Sequence, residues 1–222
     1  MDFKEYLNLL TETEKKHFPK ELFFAGDQSL LFEKRRISVV GSRKATTNGL
    51  RRASVISKAL VDNDIIVVSG LASGIDTMAH KTAIEYGGQT ISVLGTPLDK
   101  AYPKENASLL EVIKDKHLAI SQFSIGYPVQ PKNFPIRNRT MALISDATII
   151  IEATENSGTR HQGWEALRLG REVYILENVA NDPSIKWAKE MLEYGAQVLT
   201  RENISSILES IPYLTAKFDY AF

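Results

Sequence analysis

Residues 65–95 read IIVVSGLASGIDTMAHKTAIEYGGQTISVLG. The stretch opens on a β-branched apolar run (IIVVSG, 65–70), turns through glycine, and continues as a helical pattern (IDTMAHKTAIEYGG, 75–88). It closes on a second apolar run (TISVLG, 90–95). Short runs that are apolar on both faces are what buried parallel strands require, and a helix between two of them is a crossover. The same alternation extends outward in both directions. Upstream lie ISVV (37–40) and GLRRASVISKALVDN (49–63). Downstream, ASLLEVIKDK (107–116), NRTMALISD (138–146), TRHQGWEALRLGR (159–171) and SIKWAKEMLEYGA (184–196) show apolar residues three and four apart. Between and after them come LAISQF (118–123), ATIIIEA (147–153), VYILE (173–177) and, weakly, AQVLT (196–200). The alternation predicts an α/β fold, a mainly parallel sheet with helices on both faces. The predicted organisation is a short helical lead-in over 1–34, one domain over 35–211, and a loosely attached tail over 212–222.

Composition bounds the chemistry. The chain has 222 residues, 43% apolar and 24% charged, and no cysteine. Disulfides, thiolate zinc sites, iron–sulfur clusters and a cysteine nucleophile are therefore excluded. No secretory leader and no long apolar span is legible, so a cytoplasmic location without membrane contact is the expectation. Basic and acidic residues balance at 27 each, yet they are unevenly placed. Residues 34–52 carry seven bases and no acid, and residues 128–140 carry three bases and no acid. If the two segments meet in space, the resulting patch attracts a polyanion; the plainer reading of Arg51 and Arg52 is a solvated helix face.

Ligands of open parallel sheets bind beyond the carboxyl ends of the strands. Those ends hold Gly41-Ser42-Arg43-Lys44, Ser69-Gly70 before LASGID, Gly95-Thr96-Pro97, and Thr154-Glu155-Asn156-Ser157-Gly158-Thr159. Glycine admits close backbone approach, and hydroxyls with free helix N–H groups bind anions. Four such loops on one rim point to a phosphate or nucleic-acid site. Lys132-Asn133-Phe134-Pro135-Ile136-Arg137-Asn138-Arg139 adds three cations, two amides and an aromatic ring. The cations could track phosphates, Phe134 could stack on a base, and Asn138 could contact the ligand or cap a helix. The structural alternative is a core Phe134 with arginines paired to acids. No G-x-G-x-x-G, no P-loop and no metal spacing among His17, His80, His117 and His161 is present. No cofactor, no metal and no catalytic residue are predicted. Asp76 and His80, four apart on a helix, are better read as a helix-start acid and a hydrogen-bonded core histidine.

The run VVGSRKATTNG, VVSGLASGIDTMAH, GGQTISVLGTPLDKAYPKEN, FPIRNRTMALIS, IIIEATENSGT and GREVYIL resembles the DNA-processing protein A (DprA/Smf) family, in order and spacing over about residues 19–197. The resemblance implies an extended Rossmann-like, doubly wound fold and single-stranded DNA binding. It also implies a homodimer that loads a RecA-type recombinase in transformation and recombination. By position, the family's DNA pocket falls on Gly41, Ser42, Arg43, Lys132, Phe134, Arg137, Asn138 and Arg139, with Asn156, Ser157 and Gly158. The family's dimer-forming sheet end falls on Trp164, Leu167, Leu169, Tyr174, Ile175 and Leu176. Departures are Gln122 after Ser121, the run Arg160-His161-Gln162 after Thr159, and Leu176-Glu177-Asn178 in place of Val-Pro-Gly. The chain is thus expected to be a minimal, divergent member without the extra terminal domains. The competing class is a nucleotide-ligand sensor or a phosphoribohydrolase of the same superfamily. Its Gly-Gly-x-Gly-Thr-x-x-Glu loop is met here only in part, because Gln162 stands in the place of glutamate and Glu165 comes three residues late.

Overall fold

A computed structural model describes residues 7, 8 and 10–213. Eight strands form one sheet: β1 (Phe23–Gly26), β2 (Arg36–Gly41), β3 (Ile66–Ser69), β4 (Thr90–Leu94), β5 (Leu118–Ser121), β6 (Ala147–Glu152), β7 (Glu172–Leu176) and β8 (Gln197–Leu199). The helices are α1 (Glu12–His17), α2 (Thr47–Asp62), α3 (Ile75–Glu85), α4 (Ala107–Lys116), α5 (Asn133–Ile144), α6 (Thr159–Arg168), α7 (Glu177–Ala180), α8 (Lys186–Glu193) and α9 (Ile204–Ser210). The strand order is β1-β5-β4-β3-β2-β6-β7-β8. The six strands β4-β3-β2-β6-β7-β8 follow the doubly wound order, with β5 and β1 added beyond β4. Every pair is parallel except β1 with β5, where Phe23 faces Ser121 and Gly26 faces Leu118.

The period-two pattern divides each strand between two cores. Val40, Ile66, Val68, Ile150 and Ile175 pack with Met141, Ala142, Ala166 and Met191 under α5, α6 and α8. Ile37, Val39, Val67, Ile149 and Ile151 pack with Ala53, Leu60, Ile75, Ala79 and Leu208 under α2, α3 and α9. Burial on both faces explains why these strands are continuously apolar. The seven strands expected from the apolar runs are all present. The helical lead-in is only partly so. α1 is a capping box, with Glu14 N–H donating to Thr11 Oγ1 at 3.2 Å and Thr11 N–H to Glu14 Oε2 at 2.6 Å. Residues 23–26 form a strand instead of a helix, because the antiparallel edge of β5 offers hydrogen bonds no local pattern announces. α5 begins at Asn133, five residues before the expected start, so the basic segment lies on its first turns. Of the tail from Pro212, residues beyond 213 lie outside the described residues; Tyr213 Oη donates to Phe32 O at 2.5 Å.

Candidate nucleic-acid interface

Between β2 and β6 the winding of the sheet reverses, and the loops that follow these strands leave in opposite directions. The crevice between them holds about 710 Å³. Gly41, Ser42, Arg43 and Lys44 enter from the end of β2, and Ser157, Gly158 and Thr159 from the turn into α6. Phe134, Arg137 and Asn138 face it from α5, and Asp76 from α3. Residues far apart in the chain thus meet on one rim.

Phe134 is half-buried and is not part of the core. The Arg43 guanidinium lies 5.0 Å from its ring centroid, and the Tyr102 ring packs tilted against it at 5.2 Å. The ring edge also lies close to Gly95, where a Cβ would come within 2.7 Å of Phe134 Cδ1. The glycine closing β4 is therefore required by the aromatic ring above it.

Arg137 plays a different part from the one expected. It is 4% exposed, and its Nη1 donates to Gly70 O at 2.5 Å and to Val93 O at 2.6 Å. A Cβ on Gly70 would stand 2.0 Å from that nitrogen, so only glycine fits there. Burial pulls the Arg137 pKa down to about 10, Asp76 opposes the shift and Arg43 adds to it. The guanidinium stays charged at neutral pH. Burial pushes the Asp76 carboxyl up, against Arg137 and N–H donation from Ala72 and Gly70. Arg137 is thus a charged bracket across the ends of β3 and β4 that also lines the crevice. Asn138 is no helix cap; its Oδ1 accepts from Arg137 Nε at 3.0 Å.

The expected pool of free cations shrinks further. Arg139 donates to Glu165 at 3.0 and 3.3 Å, and Glu165 also holds Arg168 at 3.2 Å. Lys34 pairs with Asp64 at 2.6 Å, Arg35 donates to Leu208 O, and Arg36 lies fully buried against Asp146. These three sit at or before the amino end of β2, away from the rim. From the first basic segment only Arg43 and Lys44, both exposed, line the crevice. Lys132 and Asn156 are exposed outside its lining. Ser69 is fully buried and donates to Val39 O at 2.7 Å, and Gly70 serves Arg137 and Asp76.

Each carboxylate with an acid–base placement is engaged. Glu152 accepts from Thr46 N–H at 2.9 Å and Thr46 Oγ1 at 2.5 Å. Glu155 accepts from Lys186 N–H at 2.8 Å. Glu165 holds two arginines, and Asp76 two backbone N–H groups. Gln162 is buried, with Nε2 3.4 Å from Thr148 Oγ1. Among the described residues no group of three histidine, aspartate or glutamate side chains could hold a metal ion, and no helix is long and apolar enough to cross a membrane. Tyr102 was not singled out from the sequence; its signal is an aromatic ring between Lys100 and Lys104 in the loop after β4.

A doubly wound sheet with a basic and aromatic crevice at its switch point defines a Rossmann-like binding protein. The chain belongs to the DNA recombination-mediator protein A family, whose model matches residues 1–212. It is 31% identical over 204 residues to DNA processing protein DprA of Bacillus subtilis, covering 92% of this chain and 68% of that protein. It is 37% identical over 179 residues to protein Smf of Synechocystis, covering 80% of this chain but 45% of the relative. The chain thus spans about half to two thirds of the length of these relatives. Among solved structures, DNA processing protein A from Helicobacter pylori superposes with a TM-score of 0.80 at 25% identity, covering 96% of this chain and 95% of that one. That structure was described for its single-stranded DNA binding mode.

Proposed function

We propose that this chain binds single-stranded DNA at the switch-point crevice, holds it without turnover, and delivers it to a RecA-type recombinase in the cytoplasm. The observation that carries this reading is Arg43 over Phe134, 5.0 Å from the ring centroid, at the mouth of the crevice. A cation for phosphate beside an aromatic face for a base is the pairing that sequence-tolerant single-strand binding needs. Lys44 and the Ser157–Thr159 turn add donors for the backbone. Family membership and the single-stranded DNA binding mode described for the H. pylori relative support the same ligand. The recombinase partner and the homodimer rest on the family resemblance alone. Within that resemblance, Tyr174, Ile175 and Leu176 do not serve a dimer face, because all three are buried in the monomer. Trp164, Leu167 and Leu169 are only half-buried, and Trp164 packs edge-on against the exposed Tyr194 at 5.4 Å. The engagement of Asp76, Glu152, Glu155 and Glu165 supports a binding protein over a hydrolase, since a carboxylate held by N–H or guanidinium donors is a poor proton shuttle.

The test is a parallel titration with single-stranded DNA, duplex DNA and a panel of nucleotides at several salt concentrations. Single strands should bind best, with affinity falling as salt rises. A flat salt response, or preference for a mononucleotide, would overturn the reading. Recombinase nucleation on single strands with and without the protein tests the delivery step.

A further inference from the structure

Beyond the switch-point crevice the rim continues into a second hollow of about 990 Å³, walled by the loop after β4. The two hollows share Arg43, Ala72 and Tyr102 in their walls. Tyr102 is 51% exposed, yet it is not loosely held. Its ring packs against Phe134 at 5.2 Å. The loop that carries it is tied at both ends: Thr96 Oγ1 donates to Lys100 O at 2.5 Å, and Asn106 Nδ2 donates to Leu71 O at 2.9 Å and Thr77 Oγ1 at 2.8 Å. Lys100 and Lys104 line the far hollow together with the acids Asp99 and Glu105, all four exposed.

We infer that Tyr102 is a second base-stacking platform, and that the strand runs from the switch-point crevice across the Arg43–Tyr102 wall into the hollow lined by Lys100 and Lys104. The inference rests on the single-strand reading above and extends the ligand by the nucleotides that reach this hollow. Three observations carry it. The hollow adjoins the crevice across a shared wall. That wall pairs an exposed cation with a half-exposed aromatic ring, the same pairing Arg43 makes with Phe134. The ring is fixed before any ligand arrives, so little ordering is lost when a base lands on it. Arg43, which lies over the Phe134 ring and lines both hollows, would serve the phosphate that links the two stacked nucleotides.

The experiment is a binding series with oligothymidylates of increasing length, beginning with strands that fill only the first crevice. Wild type should gain affinity in a second step as the strand becomes long enough to cross the wall. Tyr102→Ala should lose about fivefold to a hundredfold more on long strands than on short ones, the range for one base–aromatic stack. Tyr102→Phe should restore the step. An abasic nucleotide at the crossing position should weaken wild type and leave Tyr102→Ala unaffected. An equal loss of short and long strands would overturn the inference, since Tyr102 would then act only by supporting Phe134. No loss at any length would overturn it too. If Arg43→Ala binds like wild type and salt has no effect, the single-strand reading itself fails, a result distinct from a failure confined to Tyr102.

Discussion

The Glu152 carboxylate closes the amino terminus of α2, accepting from Thr46 N–H at 2.9 Å and from Thr46 Oγ1 at 2.5 Å, while Thr46 Oγ1 accepts from Gly49 N–H at 3.0 Å. In doubly wound proteins that bind dinucleotides, this helix end is where the pyrophosphate rests. Here the protein supplies its own anion. Dinucleotides such as NAD should therefore show no saturable binding by calorimetry. Glu152→Ala should lower stability by about 1 kcal/mol, the worth of an anion at a helix start, read from urea midpoints.

Arg43 and Arg139 separate by their partners. Arg43→Ala should weaken single-strand binding and flatten the log–log salt slope by about 0.7, one phosphate contact. Arg139→Ala, already paired with Glu165, should leave the slope close to wild type. Polarisation titrations at three salt concentrations decide this, and equal slopes for wild type and Arg43→Ala would refute the contact.

For Phe134→Ala the predicted loss is about 1–3 kcal/mol of single-strand affinity. The accompanying loss of stability should be about 1 kcal/mol, because the ring is half-buried between Arg43 and Tyr102. A core phenylalanine would cost about 3–5 kcal/mol on folding, and melts run beside the binding curves tell the two apart.

Arg137→Met should destabilise the fold by about 3–5 kcal/mol, the range for removing one partner of a buried charge pair. Gly70 O and Val93 O would lose their donor, and Asp76 would stay buried without its cation. Arg137→Lys should recover only part of this, since a single ammonium cannot fork across two carbonyls and hold Asn138 as well. Chemical denaturation measures both; wild-type stability in Arg137→Met would return the residue to a purely ligand-binding role.

Histidine 80 sets a pH dependence. Burial, then His117 and Arg137, pull its pKa from 6.5 down to about 3. Between those values the unfolded chain takes up a proton that the folded chain refuses. Stability is therefore undiminished by this group above about pH 6.5 and falls as the pH drops, by up to about 1.4 kcal/mol per unit. His117, lowered by burial and by Lys116, acts in the same direction. Comparing wild type with His80→Gln in urea at pH 7 and pH 5 isolates the imidazole from Asp76, whose raised carboxyl acts with the opposite sign.

Much of this molecule was legible without coordinates. The apolar runs, their β-branched content and the glycines that follow them determined the parallel sheet and placed Gly41–Lys44 and Ser157–Thr159 on one rim, because strand burial and loop position follow from local pattern. What only the tertiary structure decided was the state of the charges. Arg137 has no acid near it in sequence, yet it is held between β3 and β4 beside Asp76. Arg139 meets Glu165 26 residues on, and Arg36 meets Asp146 110 residues on. The strand at 23–26 and the Tyr102 ring beside Phe134 belong to the same category. A local pattern states whether a segment is buried; which distant segment lies against it depends on sheet order and winding. Those contacts determine whether a cation remains free for a phosphate or is already satisfied by the protein.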